Sequence, residues 1–465
     1  MSSPPNASAK SLAVSLSGGG HRATLFALGA LMYLVDAQAN ADVTSIASVS
    51  GGSITNGFVG QTLNFRKTNG DEFRARVARP LATQIANSGT LFATLLTKVY
   101  VVILVVVGIL VFLIPAIVTA PWYWRIVLFF IGLMVWGWIL GVRGRVCVHA
   151  YKSTLYSPNG RVTRLADVKR DDLDHVICST EFRSAEQVYF AGDFVYSYAL
   201  GLGVPAELSL ARAVEASAAF PGGFPPSVLS TKQHKFEGTP PPSAGGPPAP
   251  PGEMVLTDGG VYDNMGDQWA RGFPQRIEVC KELGTGRTPP NQLVVVNASA
   301  RIPWNPFRRR LIPLVGELMA LLRVNDVLYI NTTNVRRQAI VESFDPADPT
   351  KVSALPSVLV QIAQSPFRVA NFFAKGATTP VADRAREVLE FLKGGPSEDE
   401  WARIARDNAA VATSLSKIGP EVTARLMYQG YVVAMCNLRV LFGAGFSLFA
   451  DELAIERFRA LISGD

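Results

Sequence analysis

Apolar and polar positions along the 465 residues fall into three regimes. In the first, about 11–65, Ser11 to Leu16 is a short apolar run that stops at Gly18-Gly19-Gly20, which predicts a buried strand and a turn. From His21 to Ala37 the apolar residues Leu25, Leu28, Leu31, Met32 and Val35 recur at helical spacing. Ser45 to Val49 predicts a second strand, followed by Ser50-Gly51-Gly52 and another helix. Strand, glycine turn and helix, twice in succession, imply an α/β fold with a parallel sheet and crossover helices.

The second regime is apolar throughout. Val99 to Val118 carries no charge, and Ile126 to Leu140 adds a second stretch preceded by Trp122, Tyr123 and Trp124. About 20 apolar residues cross a hydrocarbon core at 1.5 Å each, and strands rarely exceed ten. The pair predicts a transmembrane hairpin with a short connector, Thr119 to Arg125, and with Trp122, Tyr123, Trp124, Trp136 and Trp138 suited to the interfaces. The second span is short and needs Arg125 to snorkel. A hairpin buried in an oligomer, or re-entrant in one leaflet, is the alternative. Arg79 and Lys98 precede the pair and Arg143, Arg145 and Lys152 follow it, against Arg125 in the connector. The positive-inside bias then places both flanks, and the rest of the chain, on the cytoplasmic side.

The third regime, about 150–465, returns to soluble patterning. Gly238 to Gly252 is rich in Pro and Gly and reads as an exposed loop. Leu293 to Val296 predicts a buried strand. Ser397 with Glu400 forms a capping-box signature, Gly419-Pro420 is expected to close that helix, and Pro420 to open another reaching about Phe442. Arg308-Arg309-Arg310 followed by Leu311, Leu314, Val315, Leu318 and Leu322 fits either an amphipathic segment on anionic lipid or a core-facing helix.

Composition agrees with lipid contact: 17% of residues are charged and the formal net charge is +7. The first ten residues lack the pattern of a secretory signal. Cys147, Cys178, Cys280 and Cys436 are widely separated, which disfavours a zinc site or a disulfide framework. Trp304 and Phe307 beside the arginines are a poor basis for nucleic-acid binding, and none is expected.

Candidate chemistry begins at Ser48-Val49-Ser50-Gly51-Gly52. A nucleophile on a sharp strand-to-helix turn needs small residues two positions either side, and Ser50 has Ser48 and Gly52. Ser53, the rival, has Thr55 at the crowded position. A serine needs a base, yet the four histidines, His21, His149, His175 and His234, are poorly placed for one. The scarcity points to a carboxylate. Asp258, after the short strand Met254 to Leu256 and before Gly259-Gly260, is a candidate, although on this segment alone an ordinary Asp-Gly turn is the favoured reading. Gly18-Gly19-Gly20-His21-Arg22 could present backbone N–H groups to an anion. No GK[ST] follows, so a Walker loop is excluded, and an oxyanion hole is the other use.

Together these blocks resemble the patatin-like phospholipase family. Gly18 to Arg22 looks like its oxyanion block and Ser48 to Gly52 like its nucleophile elbow. Ala213 to Pro221, continuing to Pro226, resembles its Ala-Ser helix and loop, and Asp258 to Asn264 its DGGxxxN block. The sequence departs from the family pattern at Ser48, Ser17 and Ala23, all small residues. The resemblance implies a mostly parallel sheet flanked by helices, with the hairpin inserted and a helical C-terminal region. It divides the chain into 11–95 and 146–310 as two parts of a catalytic domain, 96–145 as the insertion and 311–465 as the C-terminal region. It further implies hydrolysis of lipid carboxylic esters by Ser50 as nucleophile and Asp258 as general base. Gly18, Gly19, Gly20 and Gly51 would form the oxyanion hole, with Arg22, Gly52, Gly259, Gly260 and Asn264 in support. No metal or cofactor is required. The expected partners are membrane lipid, a bilayer contacted through 99–140 and, should the chain self-associate, a second copy of it. The alternatives are a non-catalytic lipid-binding or scaffolding protein with the same fold, or transfer of the acyl group to another lipid.

Overall fold

Short apolar runs ending at small residues become strands, and the largely apolar helix that follows the first of them becomes core. The computed structural model describes residues 10–236, 252–299, 313–342, 355–375, 379–443 and 445–463. Its strands are β1 (Leu12–Leu16), β2 (Val43–Ser48), β3 (Asp174–Glu181), β4 (Gln187–Phe190), β5 (Val195–Ser197), β6 (Gly201–Gly203), β7 (Ser227–Ser230), β8 (Glu253–Asp258), β9 (Gln292–Asn297) and β10 (Ser357–Gln361). The helices that bear on the site are α1 (Gly20–Asp36), α2 (Gly51–Thr62), α3 (Leu95–Ile117), α4 (Trp122–Gly141), α5 (Arg143–Thr154), α6 (Leu210–Ser217), α7 (Pro313–Glu342), α8 (Glu398–Ala409) and α9 (Pro420–Phe442).

One mixed sheet organises the molecule. Strands β10, β9, β1, β2 and β3 run parallel in that order, and β4, β5 and β6 extend the sheet as antiparallel neighbours. The remaining hairpin, β7–β8, joins where β2 stops. Strand β2 leaves β3 at the pair Ser48–Ile177, and β8 takes up the same edge of β3 at the pair Ser179–Asp258, running the opposite way. The C-terminal ends of β2 and β8 therefore face each other along one edge.

Helix α1 is buried from Gly20 to Val35 because it is apolar on every side, the signature of a helix without a solvent face. Its partner is α9, buried over most of its length. Two glycines let the backbones touch: a Cβ on Gly29 would strike the Met427 carbonyl, and one on Gly430 would strike the Phe26 carbonyl. The C-terminal region also supplies β10, a strand the patterning did not predict.

The helix opened by Ser397, whose side chain accepts the Glu400 N–H, ends at Ala409 and not at Gly419. The physical reason lies in the next segment. Residues 411–418 form a strap whose carbonyls are taken by α1 and the segment before α3: Val411 by Arg22, Ser414 by the His21 N–H, and Leu415 by the N–H groups of Thr90 and Leu91. The Pro/Gly-rich stretch (238–251) and Arg308-Arg309-Arg310 lie outside the described residues, while Leu314 to Leu322 falls within α7.

Helices α3 and α4 form an antiparallel pair that is long and apolar enough to cross a membrane, with few residues buried by the rest of the protein. Two side chains bond across the pair: Trp136 Nε1 donates to the Leu104 carbonyl and Tyr100 Oη to the Ile139 carbonyl, each at 3.0 Å. Gly108 packs against Trp136 and Gly132 against Val111.

Candidate active site

Ser50 stands two residues beyond β2, as the residue before α2, with φ 49° and ψ −113°. A non-glycine residue seldom adopts positive φ, and such strain gathers where a side chain must be held in one place. Its N–H donates to Ser217 Oγ at 2.9 Å, and Ser217 Oγ in turn donates to the Cys178 carbonyl at 2.6 Å. Ser217 is the last residue of α6, so the Ala-Ser helix pins the elbow directly to β3. The neighbouring glycines are required by crowding. A Cβ on Gly52 would lie 2.5 Å from the Leu16 carbonyl oxygen, and one on Gly51 would lie 2.7 Å from the Gly20 nitrogen.

Asp258 closes β8 and is buried. Its backbone N–H donates to the Ala219 carbonyl, its own carbonyl accepts Thr180 Oγ1 at 3.0 Å, and its Oδ1 accepts the Gly260 N–H at 2.7 Å. Burial raises its pKa to about 7, while the Gly260 N–H and then the hydroxyls of Ser50 and Tyr329 pull it back down. The carboxylate thus titrates near neutrality with a serine hydroxyl beside it, the condition for a base that takes up and returns a proton.

The N-termini of α1 and α2 converge here. Gly20 and Gly51 are the first residues of these helices, whose opening N–H groups have no intrahelical partner, and Gly51 lies against the Gly20 backbone. Gly19 (φ 140°) and Gly20 (φ 59°) need the freedom of glycine to bring α1 in at this angle. Gly18 behaves differently from expectation: its N–H donates to the Asn264 carbonyl at 3.0 Å and is engaged. It contributes clearance instead, since a Cβ there would stand 3.3 Å from Ser50 Cβ and overlap Asn264 Oδ1.

The supporting residues divide in the same way. Gly52 N–H binds the carbonyls of Ser17 and Val49, and Gly259 N–H binds that of Ser217. Asn264 holds Ser299 Oγ through Nδ2. Arg22 has structural partners: its guanidinium holds the Ala298 and Val411 carbonyls, and burial lowers its pKa to about 10. Asp263 accepts the N–H groups of Met265, Gly266 and Gln268, which folds the turn after Asp258.

Ser48 is buried and satisfied, donating to the Val176 carbonyl and accepting from Asn56 and Ser53; Ser17 Oγ accepts the Ala298 N–H. Both hydroxyls where the family favours other residues therefore have partners. Ser53 Oγ is buried between Ser48 and Ser217, which leaves Ser50 as the half-buried serine of the three.

The histidines are committed elsewhere. His21 lies between the Ser416 carbonyl and Thr90 Oγ1, with burial lowering its pKa to about 4, and His175 faces Asn56 with its pKa lowered to about 3. His149 is exposed beside Ser153, and His234 meets the Val204 carbonyl. Sequence reasoning missed Ser217 and Tyr329 as parts of the site. Ser217 carried a signal, its place in the Ala-Ser block; Tyr329 carried none.

A cavity of about 1070 Å³ lies at the other end of α1, lined by the ion-pair cluster of Asp36, Arg74 and Glu452 among others, and does not include Ser50.

No curated protein matches the chain. Among solved structures it is similar to the crystal structure of VipD from Legionella pneumophila, at 12% identity over 98% of this chain and 91% of that one, with a TM-score of 0.26. The family model for patatin-like phospholipase matches residues 14–266, more than half the chain and all the elements that carry Ser50 and Asp258. The chain belongs to the patatin-like phospholipase family.

Proposed function

We propose that this protein hydrolyses carboxylic esters of membrane lipids, with Ser50 as nucleophile and Asp258 as general base. The observation that carries the reading is the head-on meeting of β2 and β8, which sets a strained serine against a buried carboxylate with a pKa near 7. The Ser50 hydroxyl attacks the ester carbonyl as its proton passes to Asp258. The oxyanion is received by the N–H groups of Gly19, Gly20 and Gly51, aided by two helix dipoles. Collapse breaks the ester bond, and the departing alcohol takes the proton from Asp258. Water then attacks the acyl-serine, losing a proton to Asp258, and Ser50 regains a proton as the fatty acid leaves.

The α3–α4 hairpin supplies the reason for a lipid substrate. At 1.5 Å per residue α3 spans about 35 Å, enough for a hydrocarbon core, and it exposes a continuous apolar surface. Arg143 and Arg145 at one foot and Lys98 at the other favour both feet in the cytoplasm. The hairpin foot touches the loop that follows Ala219. Arg143 Nε donates to the Gly223 carbonyl, and Gly144 packs against Pro225, in the loop that leads from Ala219, the residue holding Asp258. In domain terms, 11–95 and 146–310 make the catalytic domain and 96–145 the insertion, with 311–465 completing the sheet through β10.

The test is detergent-solubilised protein assayed on a panel of phospholipids, lysophospholipids and glycerides, beside Ser50→Ala and Asp258→Asn. Each variant should lose at least a thousandfold in turnover, and a fluorophosphonate probe should label the parent at Ser50 alone. Unchanged hydrolysis by Ser50→Ala would defeat the reading.

A further inference from the structure

Asp258 is met by a group from outside the segment that defines the family. Tyr329 belongs to α7, more than sixty residues beyond the matched region. Its hydroxyl oxygen is buried, and with the Ser50 hydroxyl it draws the Asp258 pKa down. Its ring is wedged against the glycine turn. A Cβ on Gly260 would stand 2.5 Å from Tyr329 Cε1, 2.6 Å from Asn264 Oδ1 and 2.9 Å from Asp258 Oδ1, so this glycine makes room for the tyrosine and the carboxylate together. On its other side the ring tilts onto Phe220, with centroids 5.6 Å apart. Phe220 directly follows Ala219, whose carbonyl fixes the Asp258 N–H and Thr257 Oγ1. Carboxylate, turn and loop are thus all braced by one side chain.

We propose that Tyr329 is a positioning residue for Asp258: its hydroxyl donates to the carboxylate and keeps it a competent proton acceptor aimed at Ser50, while its ring and Phe220 wall the site. A phenol suits this task because it donates a hydrogen bond without adding a charge that would pair with the base and quench it. The other titratable groups around Asp258 face elsewhere. In the turn, Asp263 takes three backbone N–H groups and Arg336, and Tyr262 bonds Glu186. On β3, Glu181 caps Ser184 and the Cys178 thiol is buried with its pKa pushed up; on α6, Glu215 holds Arg212 and Ser227. Among the described residues Tyr329 and Ser50 are then the side chains that set how readily Asp258 gives up its proton.

The inference rests on the Ser50–Asp258 reading, and its test separates the two. Full-length Tyr329→Phe, which keeps the ring, is compared with the parent on phospholipid–detergent mixed micelles from pH 5 to 9. The parent kcat/KM should fall away below a midpoint near 7. In Tyr329→Phe that midpoint should rise by about one pH unit, giving roughly a tenfold loss at pH 6 and convergence with the parent at pH 9. Superimposable profiles, or a loss equal at every pH, would overturn the proposal. Retained turnover in Ser50→Ala and Asp258→Asn would instead bring down the dyad itself. Loss in those two variants with an unshifted Tyr329→Phe profile would remove Tyr329 alone.

Discussion

At Ser50 and Asp258 the chain accepts two local penalties, a strained backbone and a desolvated carboxylate. Asp258 should make the second one measurable. Its folded pKa is raised to about 7 from an ordinary 3.8, so its favourable protonated state is fully available below pH 4 and is lost as the pH climbs through 7. Asp258→Asn should therefore gain thermal stability over the parent progressively between pH 4 and 7, and hold that gain above 7. The gain accrues at about 1.4 kcal/mol for each pH unit crossed in that window. Melting curves across that range check it, and a pH-independent difference would contradict it. Both residues could be picked out as candidates because small neighbours flank them: Ser48, Gly51 and Gly52 around one, Gly259 and Gly260 after the other. Gly18 was misjudged because no pattern of glycines reveals which N–H a distant carbonyl has taken. Tyr329 was invisible because a tyrosine in a long helix has no signature, and only the packed fold brings it to the carboxylate.

Among the elements, those with a strong period or a long apolar run were read correctly in kind and nearly in extent: β1, α1, β2, the α3–α4 pair, β9 and α9. The direction of β8 could not be read. Its run of apolar residues predicts a strand, but whether it lies parallel or antiparallel depends on β3, some 80 residues earlier. Strand β10 was passed over although Val358 to Val360 is apolar, because five residues give too little periodicity to separate a strand from a loop. The strap (411–418) is governed by carbonyls, which sequence patterning does not register. The crossing of α1 and α9 yields a prediction of its own. Gly29→Ala or Gly430→Ala must push apart backbones already in contact, and either should cost about 1–3 kcal/mol, read as a lower denaturant midpoint. Chemical denaturation of the purified variants checks this, and an unchanged midpoint would mean that the crossing has slack.

Across the whole molecule, the sheet, the C-terminal helices and the hairpin answer different demands. The sheet sets the edge on which Ser50 and Asp258 meet. The C-terminal helices cover α1, and the hairpin exposes apolar residues that the rest of the protein does not cover. Ile109, exposed near the middle of α3, tests the membrane reading. A charge at the centre of a spanning helix disfavours insertion by about 2.5–3.5 kcal/mol. Ile109→Asp should then shift the protein from the carbonate-resistant membrane pellet toward the soluble fraction and lower turnover of vesicle lipid more than that of a short-chain soluble ester. Unaltered membrane retention would argue that the hairpin is buried against another protein surface.

The pairing of α1 with α9 has a temporal consequence. The Ser50 elbow and α1 leave the ribosome early, whereas the helix that covers α1 emerges about 380 residues later. At roughly 5–20 residues per second, the nascent chain waits on the order of 20–80 s with a helix that is buried in the finished fold still uncovered. During that interval the hairpin has already been made. Because α1 opens at Gly20, against which Gly51 packs, the surroundings of Ser50 reach their final packing only once α9 has been synthesised.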